Sequence, residues 1–86
     1  MFKLKLKDGR HNIAGRNIKR IRMNRVPKMS QRKHAKKMQL AGYDIDHPVI
    51  RRIESGQRFI TDIELIAFAK VLNVPVQDLL KMETNF

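Results

Sequence analysis

The feature that most constrains this chain is an eleven-residue stretch, Asp46-His-Pro-Val-Ile-Arg-Arg-Ile-Glu-Ser-Gly56, which reads as a short helix with both ends marked. Asp46 can accept a hydrogen bond from a free N–H of the first turn. Pro48 sits in that turn, where a missing N–H costs nothing. Gly56 suits the left-handed residue that closes a helix. Ile50, Ile53 and Glu54 share one face, whereas Val49, Arg51, Arg52 and Ser55 point elsewhere. A helix this short has marginal stability in water, so its apolar face must dock on other helices. That requirement leaves two adjacent arginines on a supported outer face.

The remaining helices follow from the same signals. Asn12 can cap a first helix from about Ile13 to Arg25, with Ile13, Ala14, Ile18 and Ile21 at helical spacing. Pro27 disfavours helix at Val26 and closes it. Ser30 caps a second helix, Gln31 to about Ala41, with Ala35, Met38 and Ala41 inward and Arg32, Lys33, Lys36 and Lys37 outward. Gly42 stops it. Thr61-Asp62-Ile63-Glu64 is a capping box that opens a fourth helix through Leu72, which Leu65, Ile66, Phe68, Ala69 and Leu72 mark as the main core helix. Asn73 suits its exit. Pro75 begins a last short helix with Val76, Leu79 and Leu80 apolar, and 82–86 is a tail. The expectation is an all-α domain of five short helices at 12–81, preceded by an N-terminal basic arm or strand at 1–11.

Met1 to Lys7 alternates apolar residues with lysine, a strand pattern with no partner strand elsewhere in the chain. It reads as a solvated tail, an intersubunit strand or a DNA-contacting arm. Asp8-Gly9-Arg10 reads as a turn or linker.

Charge narrows the partner. Residues 1–37 hold fourteen Lys/Arg and one acid, whereas residues 38–86 hold five Lys/Arg and seven acids. That asymmetry points to a polyanion meeting one side of the molecule, nucleic acid first and an anionic membrane surface second. With no cysteine, disulfides and thiolate metal sites are excluded and a cytoplasmic home is expected. No apolar run approaches the ~20 residues of a membrane span. Asp44, Asp46 and His47 could ligate a metal, but no second cluster accompanies them, so neither metal nor cofactor is expected. Ser30 and Ser55 have no base placed to activate them, so no enzymatic activity is expected.

The ordered set Ser30-Gln31, Ala35, Val49-Ile50-Arg51-Arg52-Ile53-Glu54-Ser55-Gly56, then Leu65, Ala67, Ala69 and Leu72, then Leu79-Leu80, resembles the Cro/repressor-type (Xre-like) helix-turn-helix family over about residues 13–80. The resemblance implies a five-helix, lambda-repressor-like DNA-binding domain whose third helix lies in the major groove. It implies that Gln31 starts the supporting helix, touching DNA backbone and neighbouring recognition side chains. His47, Val49, Arg51 and Arg52 would lie on or beside the groove-facing surface, and Arg58 would touch phosphate. Glu54 matches an internal acid that pairs with a first-helix arginine, for which Arg22 is the best match. Arg32, Lys33, Lys36 and Lys37 are either phosphate contacts or a solvated face.

Three features depart from the family pattern. The Arg25–Met29 link is about two residues longer than usual, and Met38–Ile45 about five longer, so the second helix is expected to extend and the loop to wander before Asp46. His34 replaces the usual leucine before Ala35, and reads as a satisfied or half-buried core histidine. The implied function is a sequence-specific double-stranded-DNA-binding transcriptional regulator, a repressor acting as a homodimer on a two-fold operator. Its interface would use the end of helix four, Leu79, Leu80 and the 82–86 tail, with the N-terminal segment as a second candidate. The alternative is an antitoxin-like protein-interaction module that binds a partner protein first and DNA secondarily.

Overall fold

The computed structural model describes residues 5–82; the first half of the alternating Met1–Lys7 segment and the end of the 82–86 tail lie outside the described residues. Five helices follow in order, α1 (Ala14–Met23), α2 (Gln31–Leu40), α3 (His47–Ser55), α4 (Asp62–Leu72) and α5 (Val76–Leu79), with no strand among the described residues.

The caps act as their chemistry dictates. Ser30, Asp46 and Thr61 each accept a hydrogen bond from the N–H three residues on, and Glu64 reaches back to the Thr61 N–H to complete a capping box. At the other ends, Gly42, Gly56 and Asn73 adopt left-handed φ, and the residues after them donate back to Met38, Arg52 and Ala69 carbonyls. The same Schellman closure therefore ends three helices in succession. α1 starts one residue later and ends two residues earlier than the sequence suggests, although Asn12 Oδ1 still accepts from the Gly15 N–H at 2.7 Å.

The core gathers Ala14 and Ile18 from α1, Ala35 and Met38 from α2, Ile50 and Ile53 from α3, Ala67, Phe68, Ala69 and Leu72 from α4, and Leu79 from α5. α3 packs chiefly on α1 and α2. Ile45 explains how the long α2–α3 connection is absorbed. Its side chain is buried in the core, so the extra residues form a plugged loop in place of an extended α2.

Two core assignments need correction. Ala41 is exposed as the residue past α2, and Ile66 is 48% exposed. α4 is apolar nearly all round, so periodicity could not say which of its sides meets α1 and α2. His34 is fully buried, neither satisfied nor half-buried: both ring nitrogens lack a hydrogen-bond partner, and the ring meets Phe68 edge-on at 5.3 Å. Burial pushes its pKa down to about 4, with Glu54 opposing the shift and Arg22, Arg25 and Lys37 adding to it.

Candidate nucleic-acid interface

α3 has a dry side and a wet side. Ile50, Ile53 and Glu54 are buried, His47 and Val49 are half-buried, and Arg51, Arg52 and Ser55 are exposed. What fixes the dry side is partly polar. Arg22 of α1 and Glu54 form a bidentate pair, Nη2 to Oε1 at 2.7 Å and Nε to Oε2 at 2.9 Å, with side chains 6% and 3% exposed. Arg22 Nη1 also donates to the Met29 carbonyl at 2.8 Å, which ties the α1–α2 link to the same guanidinium.

The network then runs outward. Gln31 Nε2 donates to Glu54 Oε1 at 2.9 Å, and Gln31 Oε1 lies 3.1 Å from His47 Nε2. One contiguous chain of polar contacts thus leads from α1 to the first residue of α3, by way of the first residue of α2. Despite the longer connection between them, the starts of α2 and α3 meet at Gln31 and His47.

α2 adds charge to this surface: Arg32, Lys33, Lys36 and Lys37 are all exposed. Among the described residues no acid pairs with any of them. Arg58 differs. Its guanidinium meets Glu64 bidentately at 2.9 and 2.8 Å. The bond from Glu64 raises the Arg58 pKa, and the bond from Arg58 holds Glu64 below the usual carboxylate range. Arg58 therefore carries an already paired charge beside the α4 capping box.

Sequence reasoning missed the residues that set α1 against α3. Gly15 is buried, and a Cβ there would lie 2.0 Å from the Ile53 carbonyl oxygen, so only glycine permits this crossing. Asn12 Nδ2 donates to the Ile53 and Arg58 carbonyls at 2.9 and 2.8 Å, so the residue that caps α1 also holds the end of α3. Arg10 Nη2 donates to the Glu54 carbonyl at 2.6 Å, and the His11 N–H to that of Gly56 at 2.8 Å. Desolvation lowers the Arg10 pKa, nearby Arg16 adds to the fall, and Asp8 opposes it. The available signal was Gly15 itself, a glycine inside a helical pattern, which marks close approach. Nothing comparable pointed to Asn17, whose Nδ2 caps the end of α5 by donating to the Leu79 and Lys81 carbonyls at 2.8 Å each.

A supporting helix crossing a second, externally charged helix at its start is the architecture of the helix-turn-helix DNA-binding class. The helix-turn-helix family matches residues 18–79, from within α1 to the end of α5. The chain belongs to that family, of the Cro/repressor type, and is a DNA-binding helix-turn-helix regulator. No curated protein and no solved structure matches it. Among the described residues no group of three or more potential metal ligands converges, and no helix is long and apolar enough to cross a membrane.

Proposed function

We propose that this regulator binds double-stranded DNA sequence-specifically and represses transcription as a homodimer on a two-fold operator. The observation that carries the reading is the two-sidedness of α3: Arg51 and Arg52 are exposed on a helix whose opposite side is fixed by the buried Arg22–Glu54 pair. In this reading Arg51 and Arg52 meet base edges, where an arginine aimed at guanine O6 and N7 contributes about 1–3 kcal/mol of discrimination. Val49 packs on thymine methyl groups, and His47 and Gln31 form the edge of the same surface. Arg32, Lys33 and Lys36 hold phosphates and set register without reading sequence. Arg58 is a phosphate ligand whose orientation Glu64 maintains.

Dimerisation follows from how little one α3 can read. Two copies related by a dyad address half-sites about 34 Å apart. Ile63, 73% exposed, and Ile66, beside the groove lined by Val74, Pro75 and Val76, support an α4–α5 interface between copies.

Selection from random duplexes, followed by affinity measurement at several salt concentrations, tests the reading. The expected result is a dyad-symmetric motif bound at least ~10³-fold above random DNA. Arg51→Ala with Arg52→Ala should erase that ratio while leaving general affinity. Lys33→Ala with Lys36→Ala should weaken all sequences alike and shallow the log–log salt slope by about 2. A steep slope with no enriched motif would overturn the regulator reading in favour of backbone binding alone.

A further inference from the structure

The polar chain from Arg22 to His47 fixes where protons sit. The Glu54 carboxylate, paired with Arg22, offers only acceptors. Gln31 must therefore present its amide nitrogen to Glu54, which turns its carbonyl oxygen toward His47. A carbonyl oxygen only accepts, so the proton of a neutral His47 ring sits on Nε2 and Nδ1 carries the lone pair. Among the described residues Nδ1 has no hydrogen-bond partner, and it is not one of the buried unpartnered atoms, so it opens to solvent. The position is the first of α3, half-buried at the edge of the surface that bears Arg51 and Arg52.

We propose that His47 reads DNA as a hydrogen-bond acceptor, selecting through Nδ1 a base that presents an exocyclic amine in the major groove, adenine N6 or cytosine N4. This rests on the DNA-binding reading above and adds its polarity at one position. Arginine on the same helix donates, and so favours guanine. His47 does the opposite because a buried ion pair two hydrogen bonds away orders its ring through Gln31. Guanine and thymine present acceptor oxygens at the matching place, and the Nδ1 lone pair repels them. Gln31 is then a positioning residue: both ends of its amide are engaged, one by Glu54 and one by His47.

The experiment has two arms, both on the full chain. The first is long-range proton–nitrogen NMR of the DNA-free protein at pH 8. The expected pattern for His47 is the Nε2–H tautomer, giving way to a mixture in Gln31→Met. An Nδ1–H pattern in the unsubstituted protein overturns the proposal whatever the DNA does. The second arm repeats the duplex selection with His47→Leu, which removes the Nδ1 acceptor and leaves no polar group at that position. One position per half-site should relax, and in the original motif that position should be adenine or cytosine. Replacing that base by purine or 2-pyrimidinone, which lack the amine, should weaken the unsubstituted protein roughly tenfold and His47→Leu hardly at all. Unchanged melting temperatures for both variants separate these effects from unfolding. A relaxed position occupied by guanine or thymine, or equal losses in both proteins, overturns the His47 reading and leaves the regulator reading standing. Failure to enrich any motif removes both.

Discussion

Two arginine–glutamate pairs of nearly the same geometry sit in different media. Arg22–Glu54 closes at 2.7 Å with its side chains 6% and 3% exposed, and Arg58–Glu64 at 2.8 Å with 34% and 17%. The first joins α1 to α3 across 32 positions of sequence; the second joins neighbours six apart beside one capping box. Bond lengths do not distinguish them, yet solvation does. In the dry seam each charge depends on its partner, and Gln31, Met29 and His47 depend on the pair in turn. At the wet site water can replace either member. Equal contacts therefore carry unequal consequences.

The largest expected effect comes from breaking the dry pair. Glu54→Ala strands Arg22 in the α1–α3 seam and should cost about 3–5 kcal/mol, enough to unfold most of a domain this small, as denaturant unfolding would record. Replacing both members by Met and Leu should recover most of that loss. If the double substitution is as damaging as the single, the seam needs the charges themselves and the contrast with Arg58–Glu64 is wrongly drawn.

Gly15→Ala probes the same seam without touching charge. Its Cβ would press on the Ile53 carbonyl of α3, an immovable backbone atom, and a loss of about 3 kcal/mol is expected. An unchanged melting temperature would mean that α1 and α3 can slide apart freely.

His34 sharpens the comparison with pH. It lies within electrostatic reach of Glu54 and Arg22, and its folded pKa of about 4 lies below its ordinary value of 6.5. The folded state thus binds fewer protons than the unfolded state, so stability is complete above pH 6.5 and declines as pH falls from 6.5 toward 4. The full decline attributable to this group is about 3 kcal/mol. His34→Leu should flatten the stability profile across that window, measured by denaturant unfolding at a series of pH values; a profile as steep as before would assign the decline to carboxylates.

The smallest effect belongs to the wet pair. Arg58→Ala should lower stability by at most about 1 kcal/mol. Glu64 is held below the usual carboxylate range, so its contribution is present above that range and lost only as pH falls beneath it. A cost approaching that of Glu54→Ala would erase the distinction between the pairs.

What could be read from the sequence divides by distance along the chain. Ser30, Asp46 and Thr61 announced helix starts, and Gly42, Gly56 and Asn73 announced ends, because capping joins a side chain to backbone a few residues away. The five helices and the outward lysines of α2 followed. Arg22 as the partner of Glu54 came only through family resemblance, since no spacing argument connects residues 32 apart. Ile66 was misplaced because an all-round apolar helix does not state its buried side. His34 read as satisfied or half-buried because a histidine's partners come from other elements, and here Phe68 supplies a ring contact and no hydrogen bond.

The sequence by itself determined where helices begin and stop, which face of α3 is apolar, and that positive charge concentrates in the first 37 residues. Those properties depend on nearest neighbours and on composition. Only the tertiary structure decided that Gly15 lets α1 touch the α3 backbone, that Asn12 and Asn17 serve as clamps, and that Gln31 links Glu54 to His47. Each of these requires two distant segments to arrive within about 3 Å, and that approach is set by how the whole core packs.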